Sequence, residues 1–216
     1  MPLADGGDGT LDVLTQAKNG TILTQNVINP IGNSIKAQIG IADKFAIIEM
    51  ARASGIELIS PKNRNPLKTT TYGTGQLIQS AIKKGATTIL IGIGGSATVD
   101  GGAGCLQALG AQLLDSQGNP IGYGGGSLKQ LSHINPEPLH KTLQGITIRV
   151  LCDVDNPLLG PNGAAAVFGP QKGADEEMVR QLEENLAHFS TIIKHDLGVS
   201  IQDVPGTGAA GGLSAG

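Results

Sequence analysis

Tryptophan is absent from this 216-residue sequence, and aromatic residues make up only 2% of it. With so few rings to stack on, a base-stacking platform for nucleic acid is not expected. Charge is scarce too: 15% of residues are Asp, Glu, Lys or Arg, and they sum to −3 at pH 7. That balance lacks the basic footprint of a nucleic-acid-binding surface. No apolar run approaches the length that crosses a bilayer, and no charged-then-apolar leader opens the chain, so no membrane association is expected. Only two cysteines occur, Cys105 and Cys152, both inside apolar runs. So sparse a pair makes no disulfide framework, and both are expected as reduced core residues of a cytoplasmic protein. Also missing is any G-x-x-x-x-G-K-[ST] string, which excludes a P-loop. Neither a Ser-His-Asp order nor a G-x-S-x-G elbow can be assembled.

Glycine is the residue in excess: 33 are present, in clusters rather than at a fixed period, which points to binding loops and not to a linker or collagen. The densest cluster organises the chain. Thr88 to Ile93 is an apolar, β-branched run too short for a helix and reads as a buried strand. Six glycines then fall between Gly92 and Gly104, and Ala103 to Leu109 reads as a helix stopped by Gly110. Strand, glycine loop and helix N-terminus together form an anion-binding arrangement. The loop is therefore expected to cradle a phosphate or carboxylate with Gly94, Gly95, Ser96, Thr98 and Asp100. Packing alone would account for one tight turn, but six glycines exceed what one turn needs.

The first element is a short helix from Leu11 to Lys18, with Thr10 able to cap it and Asn19-Gly20 ending it. Strand-like runs follow at Thr21 to Val27, Ser34 to Ile41 and Phe45 to Met50. The hairpin-length link Ala42-Asp-Lys44 predicts that the last two pair antiparallel. Glu49 and Arg52 flank the exit of the third strand, as an exposed ion pair or as ligand-binding groups. Thr69 to Gly75 is a second hydroxyl- and glycine-rich stretch. It feeds a helix from Gln76 to Lys84, with Thr74 as N-cap or, together with Gly75, as part of a ligand loop. His133 and His140 lack metal-ligand spacing and read as surface residues.

Ile146 to Cys152 is the next clear strand and is expected to be buried. It ends on Asp153-Val-Asp-Asn-Pro157. Ligands of α/β proteins gather at the carboxyl ends of parallel strands. Asp153 and Asp155 share a face if the chain stays extended, and two carboxylates there suit Mg²⁺ holding phosphate oxygens; an Asx turn before Pro157 is the alternative. Lys172 precedes the strongest helix, Asp175 to about His195, which Asp175 should cap. Gly92-x-Gly94-x-x-Ala97 also fits a dinucleotide fingerprint. Its helix, however, would have to run through Gly101-Gly102, at a cost of roughly 2 kcal/mol against alanine. The match reads as accidental.

Six motifs, in order along the chain, carry a resemblance. They are Ala4-Asp-Gly-Gly-Asp-Gly-Thr10, Asn65-Pro-Leu-x-Thr-Thr-Thr-Tyr-Gly-Thr-Gly75, Ile93-Gly-Gly-Ser-Ala-Thr98 with Asp100-Gly-Gly102, Cys152-Asp-Val-Asp-Asn-Pro-Leu158, Val167-Phe-Gly-Pro-Gln-Lys-Gly-Ala174 and Gly208-Ala-Ala-Gly-Gly212. Together they resemble the bacterial glycerate kinase family (type I). Val99 stands where the family usually has asparagine, and Asp8 where it usually has glutamate. The resemblance implies ATP-dependent phosphorylation of D-glycerate, with Mg²⁺. It implies an α/β fold with a mixed sheet and helices, chiefly the inserted domain of a two-domain enzyme. Residues 1–20 would be the edge of a split flavodoxin-like domain, 21–205 the inserted domain and 206–216 the return. In that reading Asp153 and Asp155 hold the metal, Lys172 neutralises phosphate oxygens, and Asp5 or Asp8 orients or deprotonates the acceptor hydroxyl. Family members are longer at both ends, so this chain is expected to be a central fragment that is not a competent kinase alone. A non-catalytic ligand- or partner-binding fragment and a nicotinamide-dependent oxidoreductase are the alternatives. The sequence leaves a homo-oligomer open.

Overall fold

The computed structural model describes residues 9–216. The chain opens with α1 (Thr10–Ala17), then β1 (Thr21–Ile28), β2 (Ser34–Ala42) and β3 (Phe45–Glu49). A short α2 (Ala51–Ser54) precedes α3 (Tyr72–Lys83), β4 (Thr88–Gly92), α4 (Ala103–Leu109) and β5 (Gln112–Leu114). The second half holds β6 (His133–Asn135), α5 (Glu137–Thr142), β7 (Thr147–Leu151), α6 (Ala164–Phe168) and α7 (Glu176–Leu197). The main sheet runs β1-β2-β3-β4-β7, and β5 and β6 form a separate antiparallel pair. The result is an α/β fold with a mixed sheet.

Strand direction follows from connection length. Ala42 is opposite Phe45, so β2 and β3 are antiparallel across a tight turn, as the spacing predicts. The links from β3 to β4 and from β4 to β7 are long enough to cross over, and both pairs are parallel. Three carboxyl ends therefore emerge on one side of the sheet, at Glu49, Gly92 and Leu151.

The main core lies between one face of the sheet and α3, where Ile48, Met50, Leu77, Ile78, Ala81, Ile89 and Ile91 are buried. The opposite face is met by α1. It comes so close to β2 that a Cβ on Gly40 would lie 1.8 Å from the Thr15 hydroxyl, which leaves glycine as the residue that fits. A second cluster forms around the buried stripe of α7, Leu182, Leu186, Phe189 and Ile193. Asp175 caps that helix by accepting from the Met178 amide at 2.8 Å. It is the longest helix, as expected, and none among the described residues is long and apolar enough to cross a membrane.

Five expectations are corrected. The strand β7 is not buried: every residue from Thr147 to Val150 is exposed, with Val150 at 41%. It is last in the sheet and pairs only with β4, so its apolar residues identify a strand without placing it inside. For the same reason Cys152, just beyond β7, is exposed, while Cys105 in α4 is buried as expected. Thr10 lies inside α1 and makes no capping bond; Gly9 takes the N-cap position. Thr74 is likewise no cap. The helix α3 starts at Tyr72, and Thr74 lies within it, its hydroxyl 2.8 Å from that of Ser54. The two glycines that suggested a loop serve packing instead: a Cβ on Gly75 would lie 2.6 Å from the Cys105 carbonyl of α4.

Candidate functional site

Beyond β4 the chain runs irregularly to α4, through positive φ at Gly95, Gly101 and Gly102. Gly101 has a second reason to be glycine, since a Cβ there would press against the Phe189 ring at 2.8 Å. The loop is pinned along its length. Gly95 accepts from the Ile56 amide and Ala97 donates to Ser54, both at 2.9 Å, while Thr69 donates its hydroxyl to Ala97 at 2.7 Å. These bonds hold Ser96 beside Gly55 in an isolated bridge, so no helix starts near Ser96. The dinucleotide fingerprint, which needs one there, fails on that geometry.

Asp100 anchors the loop from behind. It is fully buried, and its carboxylate accepts from the Thr71 amide (2.8 Å), the Thr71 hydroxyl (2.9 Å), and the amides of Gly102 and Gly104 (both 3.3 Å). Burial pushes its pKa up from the ordinary carboxylate value, against the pull of those donors. Thr71 also accepts from the Cys105 amide at 2.9 Å, tying the starts of α3 and α4 to the same carboxylate. The sequence reading missed Thr71. Its signal lay in the Thr69–Thr71 triplet, which looked like a polar loop rather than a set of internal partners.

In front of the loop is a cavity of about 330 Å³, placed where β4 and β7 end. Gly94, Gly95 and Ser96 form one wall, Cys152 and Asp153 another, and Lys172 closes it beside Phe168. Among the described residues, the Gly94 and Gly95 amides donate to no protein acceptor. Lys172 is 1% exposed and donates from Nζ to Ser96 Oγ at 2.7 Å and to the Thr98 carbonyl at 2.8 Å. Burial pulls the pKa of this amine down to about 7, with the charge of Asp100 opposing. A glycine loop with two amides that have no protein acceptor among the described residues, a hydroxyl and a buried amine, all lining one cavity, suit an oxyanion.

The structure thus brings Gly94, Gly95, Ser96, Lys172 and Asp153 to one cavity. Thr98 reaches it only through the carbonyl that holds Lys172, and Asp100 supports the loop from the interior. Thr74 and Gly75 lie within α3, between α2 and α4. Asp155 is exposed and does not line the cavity. Asp5 and Asp8 lie outside the described residues. No group of three or more His, Cys, Asp or Glu able to hold a metal occurs among the described residues. One carboxylate on a phosphate-sized wall still fits Mg²⁺, which is bound through one or two carboxylates and substrate phosphates. Glu49, at the end of β3, is not an exposed ion-pair member. It is 2% exposed, accepts from the Leu11 amide at 2.8 Å and from Arg52 Nε at 2.6 Å, and so seats the start of α1.

The profile of the "Glycerate kinase family" matches residues 1–216. The chain is 52% identical to the glycerate 2-kinase of Escherichia coli K12, over 100% of the chain and 57% of that relative. It is 51% identical to a Bacillus subtilis glycerate kinase, over 99% of the chain and 56% of the relative. A crystal structure described as a glycerate kinase 2 from Salmonella typhimurium LT2 superposes with a TM-score of 0.96 at 50% identity, covering 99% of this chain and 58% of that one. The chain therefore spans a little over half the length of these relatives.

Proposed function

The chain belongs to the glycerate kinase family, and from that premise we propose that the protein carrying it transfers the terminal phosphoryl group of ATP to a hydroxyl of D-glycerate in the cytoplasm. The observation that carries the reading is the cavity lined by Gly94, Gly95, Ser96 and Lys172. Phosphoryl transfer asks a protein mainly for positioning and charge neutralisation, and these groups supply both. The amides and Ser96 Oγ hold phosphate or carboxylate oxygens, and Lys172 neutralises charge that develops on the transferring group. Asp153, on the cavity wall, is the group that would hold Mg²⁺ there, with Asp155, which does not line the cavity, able to serve only through water. When bound, the metal would supply further neutralisation at the phosphate oxygens. Asp5 or Asp8 orients the acceptor hydroxyl. In this reading residues 1–20 are the edge of a flavodoxin-like domain, 21–205 form the domain inserted in it, and 206–216 are the return toward the flavodoxin-like domain.

The test is a coupled assay of ADP release by the whole protein with ATP, Mg²⁺ and D-glycerate. Turnover that needs all three is the expected result. ADP release that ignores D-glycerate, or none at all from folded protein, would refute the assignment.

A further inference from the structure

We propose that above neutral pH Lys172 is uncharged in the unliganded protein and takes up a proton when an oxyanion enters the cavity, so that oxyanion and proton bind together. The inference rests on the reading of this cavity as an oxyanion site. Its basis is the partner set of the amine. Nζ donates to two acceptors, Ser96 Oγ at 2.7 Å and the Thr98 carbonyl at 2.8 Å, and both are neutral. Two acceptors take up both N–H groups of a neutral amine, whereas an ammonium carries a third N–H. That third donor has no partner here: the side chain is 1% exposed, and no carboxylate of the described residues forms an ion pair with it. Charging an amine in such a place costs more than in water.

The surroundings of Lys172 agree with this. Asp100 sits behind the loop and favours the charged form, but burial outweighs it and leaves the pKa at about 7. Across the cavity stand Asp153 and Cys152. The Arg64 backbone packs against Gly173, the next residue along the chain. An arriving oxyanion changes the balance twice, by offering the missing acceptor and by bringing a countercharge. Below pH 7 the amine is already charged and the oxyanion binds without help. Above it, each binding event must draw a proton from solution, so affinity falls as pH rises.

Isothermal titration of this chain with sodium sulfate reads the effect, because sulfate itself does not titrate near neutrality. Run at pH 8 in two buffers with different ionisation heats, it should show proton uptake with each sulfate, and at pH 6 much less. The dissociation constant should rise about tenfold between pH 8 and pH 9. Cys152→Ser, which removes the thiol of the facing wall, should leave the uptake unchanged. Lys172→Met, with an unaltered circular dichroism spectrum, should abolish it. Sulfate binding with buffer-independent heat at pH 8 overturns the inference and leaves the oxyanion reading standing. Uptake lost in Cys152→Ser also overturns it, by assigning the proton to the wrong group. No sulfate binding at either pH overturns the inference and the oxyanion reading together.

Discussion

Replacing Asp100 by alanine should lower the melting temperature of this chain by roughly 6–20 °C, since a protein of this size shifts about 2–4 °C per kcal/mol. The carboxylate accepts four hydrogen bonds in a site without exposed surface. Alanine leaves the Thr71, Gly102 and Gly104 amides without a partner in the interior, at about 1–3 kcal/mol for each group that finds none. It also opens a void between α3, α4 and the loop. Partial rearrangement recovers some of this, and a net loss of about 3–5 kcal/mol remains, at the upper end for single substitutions. Asp100→Asn keeps the shape and one oxygen, so it should cost about half as much. Thermal unfolding followed by circular dichroism measures both variants. A melting temperature within about 2 °C of wild type for Asp100→Ala would show that the carboxylate does not hold the loop.

Lys172→Met should do the opposite: leave the fold and remove the activity. The side chain is similar in length and apolar, and the amine it replaces is buried without an ion-pair partner. Ser96 and the Thr98 carbonyl lose a donor, which offsets part of the gain from no longer desolvating an amine. The net change in stability should lie within about 1 kcal/mol. In the whole protein kcat/KM should fall by about 10²–10³, the scale seen when one donor to a developing negative charge is removed. A loss in kcat larger than the change in KM would place the effect in the transition state. Near-wild-type turnover by a folded Lys172→Met protein would take this residue out of the reaction.

Much of this arrangement is legible from local chemistry. The β-branched run at Thr88 to Ile93, the two-residue link between β2 and β3, and the apolar stripe beneath Asp175 each declare an element through period, turn length or cap. Sequence proximity also marks the glycine loop, because Gly94, Gly95 and Ser96 are neighbours. What stays hidden is whatever depends on partners far along the chain. Lys172 meets Ser96 across 76 residues, and Thr71 meets Asp100 across 29. No local pattern separates an aspartate that faces a ligand from one that ties down a loop. The glycines of α3 misled for a related reason: read alone, Gly73 and Gly75 break a helix, yet in the fold they let α3 approach β1 and α4 closely. The exposed β7 repeats the lesson, since β-branched content specifies extended backbone and its place in the sheet decides burial.

The central claim is that the cavity between Gly94–Ser96 and Lys172 receives the oxyanion groups of the reaction. Its most direct test is a crystal structure of the whole protein with D-glycerate, Mg²⁺ and a non-hydrolysable ATP analogue. The account predicts a phosphate or carboxylate oxygen about 3 Å from Lys172 Nζ and within hydrogen-bond reach of the Gly94 or Gly95 amide. Both ligands bound elsewhere, with that cavity left to water, would contradict it.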